Sequence, residues 1–420
     1  MAREMKDSGI EWIGEIPRNW GICRLRFLCN ILTGNQDTQD NDPDGKYPFY
    51  VRSPIVEKSN SFTFEGDDIL MAGDGVGAGK VFHYVSGKYG CHQRVYSLQK
   101  ITGISRRFLY YYLQNRFYIS IETANSKSTV DSVRLNMLQD FSVTIPNCEE
   151  QQSIAVFLDT QCAHIDSVIE ETRAAIEEYK KLKQSVITQA VTKGIRPNRK
   201  MRDSGIEWIG EIPKEWDSII SRFVINQIGD VDHYMPVSID EGKPYIMTGD
   251  LKTLLSKVDF HKCKKISEDD YHKLCKKIQP CVGDVIFARY ATIGTVCYVD
   301  VEVECIISYS CVTVKPNKDL LNGYYLFYYL QSSAFMEDVR QYINSNTQGN
   351  VGIEALYKVK IPLSNLCEQS EIITYLDEKT AAIDSLIQKK EQLISELEAY
   401  KKSLIYEYVT GKKEVPVHAH

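Results

Sequence analysis

The sequence predicts an α+β protein built twice: two mixed α/β globular domains separated by two long helices that pair as an antiparallel coiled coil, related by a pseudo-two-fold internal repeat. Two observations carry this. MKDSGIEWIGEIPRNW at 5–20 returns as MRDSGIEWIGEIPKEW at 201–216, with thirteen of sixteen positions identical. EQQSIAVFLDTQCAHIDSVI at 150–169 returns as EQSEIITYLDEKTAAIDSLI at 368–387. A third is the contrast between them, because the stretches from signature to helix keep only scattered correspondences. Self-similarity in a fixed order marks a repeated architecture. Here the frame repeats while its contents diverge, so one scaffold presents two different globular regions.

The order places the signature and first globular domain at 1–148 and a central helix at 149–195. A linker, the second signature and the second globular domain fill 196–366, followed by a C-terminal helix at 367–413 and a tail at 414–420. In the globular regions, 66–85 and 283–301 read as strand, Gly-containing turn, strand. The pairs Gly66/Gly283, Asp67/Asp284, Ile69/Ile286 and Gly77/Gly294 set the expected register between them. LYYYLQNRFYISIET and YYLFYYLQSSAFMEDV read as amphipathic helices, whose tyrosines at helical spacing belong to the core rather than to a base-stacking surface. FSVTIP and YKVKIP then hand over to the long helices.

Neither long helix contains Pro or Gly before its last turn, and apolar residues recur at heptad spacing. The expected seam takes Ile154, Leu158, Ile165, Val168, Ala175, Tyr179, Leu182 and Val186 in the first helix. In the second it takes Ile372, Leu376, Ile383, Leu386, Leu393, Leu397, Tyr400 and Leu404, with Gln161, Thr172, Lys379 and Lys390 as interruptions. About 40 residues at 1.5 Å each give roughly 60 Å, too long a stripe to stand without a partner. Antiparallel pairing would bring the C-terminus beside the N-terminal signature, as helix one meets the second signature in sequence. The repeat then closes into a ring cut open at the termini.

Composition is that of an ordinary globular protein, with 43% hydrophobic and 25% charged residues. No run approaches the ~20 apolar residues of a membrane span, and the N-terminus has no secretory apolar core. Twelve cysteines without a CxxC pair read as reduced thiols of a cytoplasmic protein. The net charge of −6 hides a segregation: 88–134 carries eight basic and two acidic residues, and 252–277 eight basic and four acidic. Segment 31–74, with three basic and nine acidic residues, is the opposite. The two positive segments are suited to tracking phosphates.

The DSGIEWIGEIP signature with its following Trp, the GD-containing hairpin and the succession IP, EQ, long helix resemble type I restriction–modification specificity subunits over essentially the whole chain, twice. The resemblance implies two target-recognition domains, each reading one half of a bipartite double-stranded DNA site. It implies helices that set the spacer and dock two modification (methyltransferase) subunits, with restriction subunits added for cleavage. It further implies no catalytic residue and no cofactor on this chain, S-adenosylmethionine belonging to the partners. A fused restriction–modification polypeptide would need an NPPY or DPPY motif, which is absent. A coiled-coil adaptor is the other rival, and sequence preference in DNA binding would separate it.

Arg and Gln can bond guanine and adenine edges in bidentate fashion, while Lys and further Arg suit phosphates. The candidates for DNA contact are Lys80, Gln93, Arg94, Lys127 and Arg134 in the first half and Arg289, Tyr290 and Thr292 in the second. GDGVGAGK at 73–80 imitates a phosphate loop, but its spacing is wrong and Val81 stands where Ser or Thr is required. It reads as a hairpin turn. His261, Cys263, His272 and Cys275 fit no common zinc module, and no metal site is expected.

Overall fold

The computed structural model describes residues 3–124, 132–290, 292–342 and 350–416. The chain folds into two compact units that cut across its linear order. Met1–Thr172 joins Gln392–His420 in the first, and Arg173–Glu391 forms the second. Each unit therefore owns one part of both long helices, Cys148–Lys193 and Leu366–Val409. The helices stop where Gly194 and Gly411 take positive φ values of 72° and 71°, the left-handed conformation that favours glycine. The second helix thus ends four residues before its expected limit at 413. Among the described residues no helix is long and apolar enough to cross a membrane.

In the first unit the signature is a small hairpin, Met5–Asp7 against Glu15–Pro17. Next, Gly21–Arg24 pairs antiparallel with Ser142–Ile145, so a two-stranded ribbon carries the chain into and out of the globular region. Inside lies a six-stranded sheet in the order Asn30–Thr33, Val95–Gln99, Phe64–Ala72, Phe82–Cys91, Tyr47–Tyr50, Val56–Ser59. Helix Arg106–Ala124 covers one face with Phe108, Tyr112 and Phe117, all fully buried.

The second unit repeats the plan. Met201–Asp203 pairs with Glu211–Pro213, and Asp217–Ile220 with Lys360–Leu363. Its sheet is split in two: Ile225–Gly229, Cys311–Pro316, Val285–Ala288, Val296–Tyr298, and Lys264–Ile266, Lys243–Ile246, Ile306–Ile307. The split falls where the single ten-residue strand Phe82–Cys91 of the first unit becomes two short pieces. The covering helix is also broken, into Gly323–Gln331 and Ser333–Arg340, where a single helix was expected. Ser332 causes the break by capping the second piece, its hydroxyl accepting from the Phe335 N–H at 3.2 Å.

Pairing of the helices is antiparallel within each unit. In the first, the rings of Phe157 and Tyr408 lie 4.6 Å apart and Asp166 meets Lys401 at 2.6 Å, so ascent along one helix is descent along the other. In the second, Lys390 sits over the Tyr179 ring and Lys183 meets Asp384 at 2.7 Å, in the same sense.

The seam is real, but half of it stands one residue from its expected place. Ile154, Leu158, Ile165, Ile372, Leu376 and Ile383 are buried as expected, and Leu397 is half-buried. Leu182, expected inside, is 48% exposed, and Leu386, Leu393 and Tyr400 are also exposed. Ile169, Ile176 and Lys183 take the inner positions of the first helix, and Ile387, Ile394 and Lys401 those of the second. The reason is that a lysine stem is itself apolar: Lys183 and Lys401 lie along the seam and put their ammonium groups on Asp384 and Asp166. Thr172, expected to interrupt, is buried with its hydroxyl donating to the Val168 carbonyl at 2.6 Å.

The EQ pair that opens each helix ties it to its unit. Gln151 accepts from the Ser105 N–H at 2.5 Å and donates to the Pro146 carbonyl at 2.9 Å. Gln369 accepts from the Asn322 N–H at 2.8 Å and donates to the Ser364 carbonyl at 2.8 Å. Glu150 accepts from the Trp20 indole N–H at 2.9 Å and pairs with Arg3, while Glu368 pairs with Arg199 beside Trp216. Expected ring closure is met in the first unit, where Tyr408 and Val409 share a core with Ile13, Ile16 and Trp20. The Thr144 hydroxyl donates to the Val409 carbonyl at 3.2 Å.

Candidate nucleic-acid interface

In the first unit, three segments converge on Gly73. Its N–H donates to the Arg94 carbonyl at 2.9 Å, and its own carbonyl accepts from the Val133 N–H at 2.7 Å. A side chain there would strike the Arg94 carbonyl and the Tyr96 ring, so glycine allows the close approach. The result places Arg94 and Arg134 beside the loop 73–80, which joins two antiparallel strands and is a hairpin turn as expected. Arg94 is exposed and pairs with Asp74 at 3.0 Å. Gln93 donates to Asp37 at 3.0 Å. Arg134 is exposed at the start of helix Leu135–Gln139. Lys80 is exposed too, its ammonium 4.1 Å from the centre of the Tyr118 ring. Lys127 lies outside the described residues.

Sequence reading missed Arg52, which pairs with the other oxygen of Asp74 at 3.2 Å. It sits in the acidic segment 31–74, so net charge concealed it. Asp37, also in that segment, has its carboxyl held below the usual range by hydrogen bonds from Thr38 and by the neighbouring His92.

The equivalent position in the second unit is Arg289. Its N–H donates to the Ser310 carbonyl and its carbonyl accepts from the Val351 N–H, each at 3.1 Å. Here, however, the side chain is buried and forms an ion pair with buried Asp230. Arg289 was expected to offer a free fork to DNA, and the structure corrects this: the guanidinium is committed to an interior carboxylate 59 residues away in sequence. Half-buried Tyr290 lies against it, and His233 stacks on Tyr309 at 5.1 Å. Thr292 is exposed in the turn. Asp230, His233 and Tyr309 carry no motif, so only folding reveals them.

The hairpin register also needs correcting. Leu70 pairs with Ser97 and Ile286 with Thr313, so Asp68, not Asp67, is the counterpart of Asp284. Both are buried: Asp68 accepts from the Tyr89 hydroxyl at 2.5 Å and Asp284 pairs with Lys315 at 2.5 Å. Burial raises the Asp68 carboxyl above its ordinary value. Likewise Gly79, not Gly77, matches Gly294, since both donate to the alanine that ends the preceding strand, Ala72 or Ala288. The first loop is simply longer, which a gapless alignment cannot show.

All twelve cysteines are free, and burial pushes the thiols of Cys91, Cys297 and Cys305 up to about 12, which keeps them protonated and inert. Among the described residues no three His, Cys, Asp or Glu side chains assemble into a metal-binding group.

The family model for the type I restriction modification DNA specificity domain matches residues 17–178 and 229–397. The chain is 24% identical over 420 residues to the type I restriction enzyme MjaVIII specificity subunit of Methanocaldococcus jannaschii, covering 95% of this chain and 94% of that one. It is 31% identical over 209 residues to the EcoDI specificity subunit of Escherichia coli, a match spanning 49% of this chain and 41% of that subunit. Among solved structures, one chain from work on complex assembly and conformational transition of the type I R-M system superposes with a TM-score of 0.68 at 17% identity. That superposition covers 95% of this chain and 99% of the other.

Proposed function

The chain belongs to the type I restriction modification DNA specificity family, and from that premise we propose how it divides the work of recognition. It is a DNA-recognition subunit and not itself an enzyme. Each unit reads one half of a bipartite double-stranded site through the loops beside Gly73 and Arg289. Two modification subunits dock on the helices and supply S-adenosylmethionine and the methyl transfer, and restriction subunits join for cleavage. The helices set the spacer between the half-sites. The whole works in the cytoplasm.

One observation carries this reading: the frame is repeated down to single hydrogen bonds, yet the side chains it holds at the same loop position differ. A frame that served only to join proteins would have no need of two differently furnished loops. Docking has its own support, since exposed Leu393 and Tyr400 in the first unit, and Leu182 and Leu386 in the second, leave apolar side chains on the outward helix faces.

The test is reconstitution. Chain alone with S-adenosylmethionine should leave DNA unmodified, and chain with modification subunits should methylate a bipartite sequence. Methyl transfer by the chain alone, or binding without sequence preference in the assembled complex, would overturn the proposal.

A further inference from the structure

We propose that Asp74 is a positioning residue that presents Arg52 and Arg94 as a matched pair to guanine edges in the first half-site, with Val76 contacting an adjacent thymine methyl. This rests on the reading above and names the bases for one of its two loops.

Each carboxylate oxygen of Asp74 takes one arginine, Arg52 through Nη1 at 3.2 Å and Arg94 through Nη1 at 3.0 Å. Asp74 itself is only 16% exposed, whereas the Arg52 and Arg94 side chains are 44% and 62% exposed. An arginine has five donors in a fixed fork, so one bond to Asp74 fixes its plane and leaves the donors a guanine O6 and N7 require. The anion behind the pair also selects its ligand. It repels a phosphate but not a neutral base edge, so these arginines are suited to bases, and the exposed cations Lys80 and Arg134, which no carboxylate among the described residues holds, to the backbone.

The loop brings the third member into place. Gly77 lies so close to the Arg52 carbonyl that any side chain there would collide with it. Between Gly75 and Gly77, Val76 is 98% exposed. A branched apolar side chain held out by two glycines beside two arginines matches the C5-methyl of thymine, the apolar feature of the major groove.

The experiment uses the assembled complex with modification subunits, binding a duplex library randomised in the first half-site. R52A and R94A should each lose guanine preference at one position by tenfold or more, and R94K should do so while keeping overall affinity. D74N should weaken both positions together and tighten binding to random DNA, a gain that no merely structural role produces. V76A should lose a thymine preference at a neighbouring position. Preference in the second half-site should stay unchanged throughout. A uniform loss across sequences with a shallower salt dependence would show phosphate contacts and overturn the proposal, as would unchanged preference in all variants. If the wild-type complex itself shows no preference in the first half-site, the domain reading fails first.

Discussion

Gly73 and Arg289 hold the same place in their two units. Each donates its N–H to the residue just before the neighbouring strand, Arg94 or Ser310, and its carbonyl accepts from the valine that follows the covering helix. Around Gly73 the arginines stand outside, on a shared carboxylate that is itself largely buried. Around Arg289 the arginine is inside, locked to Asp230, and aromatic side chains line the approach. The backbone frame is thus indifferent to what it displays. Two loops hung on the same main-chain bonds, the first longer than the second, offer a charged, donor-rich surface in one unit and an aromatic one in the other. Recognition can then diverge without disturbing the fold, because the bonds that hold the loop are main-chain bonds.

The frame itself should answer alike in both units. Trp20 and Trp216 are 1% and 0% exposed, each beside an arginine and the glutamate that opens a long helix. Trp20→Ala and Trp216→Ala should each cost about 3–5 kcal/mol, read by chemical denaturation of the intact chain. A cost confined to one of them would break the equivalence of the two frames.

The loops should answer differently. Arg289→Ala takes from buried Asp230 its closest partner, leaving only His233 at 3.3 Å and Lys277 at 3.9 Å, and should destabilise by about 2–3 kcal/mol. Arg94→Ala removes an exposed arginine and leaves Asp74 with Arg52, and should cost under about 1 kcal/mol. Equal costs would erase the contrast between an interior and a displayed arginine. The same pair sharpens the functional side: Arg94→Ala should shift base preference in a folded protein, while Arg289→Ala should act through the stability of the second unit.

How much of this was legible beforehand follows from the kind of information each feature needs. The signature, the EQ helices and the ring were visible because identical residues recur in order. Antiparallel pairing was expected over a parallel coiled coil because it closes the repeat into a ring. The seam was found but misplaced by one residue in half its positions, because Leu182 looks more apolar than Lys183. Only the partner Asp384, 201 residues away, shows why the lysine belongs inside. Arg289 was misread for the same reason, since its mate Asp230 lies in another segment. Arg52 was hidden by acidic neighbours. Local pattern reports which face of an element is apolar, whereas the pairing of a charge depends on who arrives from elsewhere in the chain.

The central claim is that two separately furnished readers sit in one repeated frame, each answering for its own half-site. The direct measurement replaces 25–141, the segment between the paired strands Gly21–Arg24 and Ser142–Ile145, with the matching segment of another family member. The methylated positions of DNA treated with the assembled complex are then sequenced. One half of the bipartite site should change while the other half and the spacer stay as they were. A change in both halves, or in neither, would contradict the account.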